Sequence, residues 1–164
     1  MAQVLEGRVW RFGDDIDTDQ IIASQYLVFG SVSEMAKHCM ETQREDFAAT
    51  VRPGDLIVGG RNFGCGSSRE QAPMVLKELG IAAVVAESFS RIFFRNAINM
   101  GLMPIVLTST ATIADGVRLT IDADAGTVAS VTGDVQRFTP LDDYPRRILQ
   151  AGGLIKFLKS GQAA

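Results

Sequence analysis

Residues 56–88 read LIVGGRNFGCGSSREQAPMVLKELGIAAVVAES, and this stretch decides the fold class. The apolar run LIV follows the turn signal Pro53-Gly54-Asp55 and predicts a buried strand. The residues after the glycine-rich turn predict a helix with a serine cap, an acidic first turn at Glu70 and a glycine end at Gly80. The run IAAVVAES is typical of a strand covered on both faces. Together these segments indicate an α/β domain.

The segments before residue 56 add a strand, a loop and a short helix. VLEGRVWRF alternates in hydrophobicity and is rich in β-formers, which predicts a strand over about residues 4–12. GDDIDTDQI, residues 13–21, contains four aspartates and predicts a loop. SVSEMAKHCM, residues 31–40, predicts a short helix capped by Ser31 or Ser33.

The segments after residue 88 continue the mixed pattern. SRIFFRNAINMG predicts a second amphipathic helix ending at Gly101, and LMPIVL predicts another strand. GVRLTIDADAGTVASVTG predicts two short strands around an Asp-Ala-Gly turn. The last segment predicts one or two helices interrupted at Gly152-Gly153. We therefore expect one α/β domain over residues 1–164, a size that suits a single core.

Composition and charge exclude several classes of function. The formal net charge of −3 argues against a nucleic-acid partner, which requires a basic face. No stretch approaches the ~20 apolar residues of a bilayer span, so we expect no membrane association. Glu6 and Arg8 interrupt any signal-type apolar core, and we expect a cytoplasmic protein.

The cysteine count limits the cofactors of this chain. Cys39 and Cys65 are too few for a disulfide framework, a structural zinc site or the usual ligation of an iron–sulfur cluster. We expect no metal ligands here, so any such metal has to come from elsewhere.

The glycine-rich turn predicts an anion site at the start of the helix. Orphan N–H groups and the helix dipole favour an anion there, and Ser67, Ser68 and Arg69 add two hydroxyls and a forked cation suited to a carboxylate. The turn lacks the spacing of a dinucleotide fingerprint and the lysine of a P-loop. In the alternative interpretation, one serine only caps the helix and Arg69 is a surface charge.

A serine can also act as a base in this setting without histidine. The chain contains one histidine, His38. An alkoxide stabilised by backbone N–H groups and a cation can remove a C–H proton next to a carboxylate. Cys65 as a nucleophile is the competing interpretation, but no base lies near it in sequence, and a packed thiol is favoured.

Three segments carry a family resemblance. FGCGSSRE (63–70), preceded by GDLIVGGRN (54–62) and GDDIDTDQIIASQYL (13–27), closely resembles the small subunits of 3-isopropylmalate dehydratases in the aconitase superfamily. The resemblance runs from about Gly7 to Met103. It implies a single swivelling β/β/α domain of the aconitase C-terminal type, working in leucine biosynthesis as a hydro-lyase subunit. It also implies a large partner subunit that carries a 4Fe–4S cluster as Lewis acid.

The resemblance assigns roles to four residues. Ser67 matches the catalytic base, Arg69 the carboxylate-binding arginine and Ser68 a second substrate contact. Asp19 matches an acid that orients a partner histidine in aconitases. The aspartates between residues 14 and 19 are also ordinary turn-formers, which is the alternative interpretation.

The resemblance associates substrate choice with the segment SQYLVFG, residues 24–30. Relatives that act on tricarboxylates carry an arginine in this segment, whereas this chain has Val28 and Phe29. An unpaired buried carboxylate there would cost several kcal/mol, while an isopropyl group would lose water favourably. The expected substrate is therefore an alkylmalate, and among alkylmalates we expect isopropylmalate. In the alternative, Val28 and Phe29 only fill the core.

Several alternatives remain open at this stage. Gln71 stands where the family has histidine, which bears on substrate identity more than on reaction class. The chain could serve another alkylmalate hydro-lyase, acting on 2,3-dimethylmalate or citramalate, or a homoaconitase. It could also be a carboxylate-binding module without catalysis.

Overall fold

The computed structural model of the protein describes residues 3–161, and within them the chain forms a seven-stranded sheet. The strands are β1 (Val4–Arg11), β2 (Leu56–Val58), β3 (Ala83–Ala86), β4 (Met103–Val106), β5 (Arg118–Asp122), β6 (Thr127–Ser130) and β7 (Val135–Arg137). The helices are α1 (Thr18–Ile21), α2 (Val32–Ala36), α3 (Phe47–Thr50), α4 (Gln71–Glu78), α5 (Arg91–Met100), α6 (Asp143–Gln150) and α7 (Leu154–Lys159). None of these helices is long and apolar enough to cross a membrane.

Strand β1 joins a parallel half of the sheet to an antiparallel half. The strand order is β4-β3-β2-β1-β5-β6-β7. Residues 4–8 pair antiparallel with β5, and residues 9–11 pair parallel with β2. The crossovers through α4 and α5 connect β2, β3 and β4 in parallel, and β5, β6 and β7 follow as an antiparallel meander. This arrangement confirms the α/β class.

Each face of the parallel strands packs against its own apolar cluster. In β2, Ile57 belongs to the cluster that includes Leu76 of α4, whereas Leu56 and Val58 belong to the cluster that includes Phe157 of α7. This alternation follows from the two-residue period of a strand. Strand β3 is buried at all four positions, which confirms the prediction that it is covered on both faces.

Several predicted boundaries are confirmed by the local geometry. The hydroxyl of Ser31 caps α2 by accepting a hydrogen bond from the N–H of Glu34. Helix α5 ends at Gly101, which has a left-handed φ of 85°. The strand predicted over about residues 4–12 is β1, and the terminal segment forms α6 and α7 on either side of Gly152-Gly153.

Two predictions were wrong. Helix α4 has no serine cap: it begins at Gln71, with Glu70 in the N-cap position and no side-chain capping bond. The carbonyl of Ser67 accepts a hydrogen bond from Thr18, so it is taken up by a tertiary contact instead of a helical turn. The aspartate-rich loop also contains α1, because Asp17 and Gln20 form a reciprocal capping box.

Candidate functional site

The candidate site lies where the aspartate-rich segment 14–19 runs beside the glycine-rich segment 60–69. The N–H of Gly64 donates to the carbonyl of Ile16 at 2.6 Å, and the N–H of Thr18 donates to the carbonyl of Cys65 at 2.9 Å. The buried hydroxyl of Thr18 donates to the carbonyl of Ser67 at 2.8 Å, across 49 residues of sequence. These bonds hold the backbone of Ser67 beside α1.

The four aspartates have different partners. Asp14 accepts a hydrogen bond from the backbone N–H of Arg61 at 2.7 Å, and Asp15 accepts one from the side chain of Asn62 at 3.1 Å. Asp17 caps α1. These three therefore shape the loop, as the turn-former interpretation expects. Asp19 differs, because its carboxylate contacts the guanidinium of Arg69.

Arg69 is held firmly from one side. Its Nη1 donates to Oδ1 of Asp19 and to the carbonyl of Ile22, both at 3.0 Å. The Arg69 side chain is only 16% exposed, and its Nε and Nη2 have no hydrogen-bond partner within residues 3–161. Two such nitrogens of a guanidinium form a fork that can bind a carboxylate in bidentate fashion. The bond from Arg69 also lowers the pKa of Asp19, so the acid is ionised at neutral pH.

Ser67 and Ser68 are both exposed. Neither hydroxyl has a hydrogen-bond partner in the described part of the chain. Because neither serine caps α4, both hydroxyls are available to a ligand beside Arg69. Gln71, where the resemblance leads us to expect histidine, is half-buried at the start of α4.

Neither a histidine-assisted serine nor a reactive cysteine is present at this site. His38 contacts Tyr26, Phe29 and Glu41 instead of Ser67. Burial, followed by the charges of two nearby aspartates, raises the pKa of Cys65. A protonated thiol is a poor nucleophile, which supports the interpretation of Cys65 as a packing residue.

The segment 24–30 borders the site and exposes apolar side chains. Val28 is 82% exposed and Phe29 is 39% exposed, so the alternative that both only fill the core was wrong. The N–H of Ser24 donates to Oδ1 of Asp19 at 3.3 Å. Asp19 therefore contacts both Arg69 and the start of this segment.

Comparison with known proteins settles the family. A family model described as the aconitase C-terminal domain matches residues 16–110, which contain Asp19 and the whole glycine-rich segment. This chain belongs to that family. The crystal structure of a 3-isopropylmalate dehydratase from Methanocaldococcus jannaschii matches this aconitase C-terminal domain with a TM-score of 0.93 and 45% identity, covering 98% of this chain and 96% of that chain.

Curated relatives of this aconitase C-terminal domain match it along nearly its whole length. The chain is 51% identical over 155 residues to 3-isopropylmalate dehydratase small subunit 1 of Archaeoglobus fulgidus, covering 94% of this chain and 96% of the relative. It is also 51% identical over 162 residues to a methanogen homoaconitase small subunit of Methanothermobacter thermautotrophicus, covering 98% and 94%. These matches confirm the resemblance and the fold type inferred from the sequence.

The thiols of this aconitase C-terminal domain do not fit an iron–sulfur cluster. Such clusters are usually held by four cysteine thiolates, and the chain has two cysteines. Cys39 is fully buried, and burial strongly raises its pKa. Within residues 3–161 no group of three or more histidine, cysteine or acidic side chains is arranged to hold a metal ion.

Sequence reasoning missed Thr18, which contributes to the site through its contact with Ser67. Its hydroxyl donates a hydrogen bond to the Ser67 carbonyl, and its N–H donates one to the carbonyl of Cys65. Nothing local distinguishes a threonine between two aspartates from an ordinary turn residue. Its partner lies 49 residues away, so only the folded chain reveals its role.

Proposed function

We propose that this chain is the small subunit of a 3-isopropylmalate dehydratase, which interconverts 2-isopropylmalate and 3-isopropylmalate in leucine biosynthesis. The reaction is a dehydration followed by rehydration, and it requires a large subunit. The observation that carries the proposal is the exposed Ser67 hydroxyl, which has no hydrogen-bond partner among residues 3–161, in the segment where Arg69 is fixed by Asp19. The names of the whole-length relatives support the same activity.

In this proposal, Arg69 and Ser68 bind the substrate and Ser67 moves the proton. The free fork of Arg69 binds one carboxylate, and Ser68 makes a second contact. Ser67 takes the proton from the carbon next to a carboxylate, since a nearby guanidinium stabilises its alkoxide. Asp19, ionised beside Arg69, orients a histidine of the large subunit.

The large subunit supplies what this chain lacks. A 4Fe–4S cluster would assist the loss of the hydroxyl group as a Lewis acid, and the two cysteines of this chain do not fit such a cluster. The proposal therefore places a 4Fe–4S cluster on the large subunit. It also places the complex in the cytoplasm, where cysteines stay reduced.

The exposed Val28 and Phe29 favour an alkyl substituent on the substrate. An isopropyl group would transfer apolar surface out of water at this segment, whereas a carboxylate would meet no cation among residues 24–30. The 51% identical homoaconitase small subunit makes a homoaconitase the second candidate. An isopropylmalate/citramalate isomerase small subunit from Methanocaldococcus jannaschii, 45% identical, makes citramalate a further one.

Reconstitution with a cognate cluster-bearing subunit tests the proposal. The wild-type pair is expected to dehydrate 3-isopropylmalate, and Ser67→Ala is expected to lower kcat by about 10²–10⁴-fold, the usual contribution of a general base. Gel filtration is expected to show unchanged assembly, because the Ser67 side chain is exposed and its hydroxyl has no hydrogen-bond partner within residues 3–161. Ser109→Ala removes another exposed serine hydroxyl and serves as the control.

Two results would contradict parts of the proposal. A Ser67→Ala complex with the full rate would remove the assigned base. A wild-type complex that acts on homocitrate but not on isopropylmalate would favour the homoaconitase.

A further inference from the structure

Three side chains hold the segment 24–30 in place, and we call them the Tyr26–His38–Glu41 cluster. The rings of Tyr26 and His38 stack at 3.8 Å between centroids with a 7° angle between planes. The Tyr26 hydroxyl donates to Oε1 of Glu41, and Nδ1 of His38 lies 3.0 Å from Oε2 of the same carboxylate. One carboxylate therefore binds both stacked rings.

The Glu41 carboxylate is suited to this task. The hydrogen bond from Tyr26, followed by that from His38, lowers the pKa of Glu41, so the group is ionised at neutral pH. Hydrogen bonds to an ionised acceptor are shorter and stronger than neutral ones. The side chains of His38 and Glu41 are each 32% exposed, so the pair is only partly screened by water.

The backbone beneath the cluster is fixed to the candidate site. Cys39 and Met40, which separate His38 from Glu41, are fully buried. The N–H of Met40 donates to the carbonyl of Ile21 at 2.9 Å, and the adjacent carbonyl of Ile22 accepts from Arg69 at 3.0 Å. The cluster and the Arg69 guanidinium are therefore connected through two successive residues at the end of α1.

The cluster also contacts the apolar part of the segment. The ring of Phe29 lies 5.8 Å from that of Tyr26 and 5.7 Å from that of His38, measured between centroids. The segment is tied to the site at its start as well, through Ser24 and Asp19. Val28 lies between the anchored Tyr26 and Phe29.

We propose that His38 and Glu41 are positioning residues for substrate selection, which hold Tyr26, and through it Val28 and Phe29, at a fixed place relative to Arg69. This inference rests on the function proposed above. Neither residue is assigned a contact with the substrate. Their effect is to set the space between the carboxylate-binding fork and the apolar side chains that meet the alkyl group.

Selectivity of the reconstituted complex tests this role. In His38→Ala, Glu41→Gln and Tyr26→Phe, the ratio of kcat/KM for isopropylmalate to that for citramalate is expected to fall about tenfold, the scale at which apolar pockets discriminate single groups. The loss is expected mainly in KM for isopropylmalate, with kcat within about twofold, because the proton-transfer residues are untouched. Lys37→Ala is the control, since it removes an exposed pair with Glu34 next to the cluster.

Hydrogen exchange of the chain alone provides a readout that does not depend on activity. Backbone amides of residues 24–30 are expected to exchange about tenfold faster in His38→Ala than in the wild type, because the anchor of the segment is lost. His38→Phe, which keeps a stacking ring, is expected to restore part of this protection. If His38→Ala fails to fold, Tyr26→Phe decides the matter, since it removes only one hydroxyl.

Two outcomes would overturn the inference. The first is that every cluster variant shows the same kcat/KM ratio and the same amide exchange of residues 24–30 as Lys37→Ala. The other is an equal loss of kcat on both substrates with an unchanged selectivity ratio. A wild-type complex without dehydratase activity would instead contradict the proposed function, and the exchange measurement would still decide whether the cluster anchors the segment.

Discussion

At the scale of single residues, Val28 is the position at which an introduced positive charge is expected to change the preferred substrate. Its side chain is 82% exposed in a segment tied to Asp19 and so to Arg69. Its neighbours in residues 24–30 carry no charge. If a large subunit excludes water from the site, as we propose, a third carboxylate at this place would be unpaired.

Val28→Arg is expected to shift preference from isopropylmalate towards homocitrate in the reconstituted complex. A cation would pair with the extra carboxylate and replace apolar contact, so we expect the ratio of the two kcat/KM values to change by about tenfold or more. Val131→Arg adds the same charge at another exposed valine, 73% exposed, and is expected to leave the ratio unchanged. An unchanged ratio in Val28→Arg would mean that the segment does not face the pocket.

At the scale of elements, the site depends on how closely the glycine-rich segment packs against α5. Gly64 has a φ of +79°, and a Cβ added there would overlap the ring of Phe93. The carbonyl of Gly64 also accepts a hydrogen bond at 2.9 Å from Ser90, the N-cap of α5. A side chain at this position would force α5 and the segment apart.

Gly64→Ala is expected to destabilise the protein by about 2–4 kcal/mol, combining left-handed backbone strain with overpacking. Gly116→Ala is the matched control, because Gly116 has a φ of +82° but no atom within 4 Å of an added Cβ. Gly116→Ala is expected to lower the free energy of unfolding by only the cost of left-handed backbone strain, about 1–2 kcal/mol. Urea unfolding of both variants measures the difference, and equal losses would show that the contact with Phe93 is not tight.

At the scale of the whole molecule, the site is open to solvent. Ser67, Ser68 and Val28 are all exposed. An open site of this kind lets water compete with every polar contact to the substrate. In our proposal the large subunit closes the pocket.

The isolated chain is therefore expected to have no dehydratase activity and to bind isopropylmalate only with a Kd above about 1 mM, which corresponds to about −4 kcal/mol. Calorimetry on the chain alone measures this affinity, and Arg69→Met shows whether any heat arises at the candidate site. Micromolar binding that is lost in Arg69→Met, with no partner recovered from the cell extract, would favour the alternative of a carboxylate-binding module without catalysis.

The sequence by itself determined most of the longer strands and helices and the chemical character of the site. The apolar runs predicted β2, β3 and β4, and a terminal glycine marked the end of α5 at Gly101. These features are local, because a strand or helix shows its period and its end within a few residues. The motif Ser67-Ser68-Arg69 is likewise contiguous, so its hydroxyls and cation were visible in the sequence.

Only the tertiary structure decided where α4 begins, which aspartate contacts Arg69 and how Val28 and His38 are placed. The predicted serine cap of α4 is absent, and the Ser67 carbonyl instead accepts a hydrogen bond from Thr18 across 49 residues, which no local preference reports. Among the four aspartates, Asp19, which lies in α1, forms an ion pair with the Arg69 guanidinium. Hydrogen bonds between distant segments depend on how the sheet brings those segments together, and for that reason they could not be read from the chain alone.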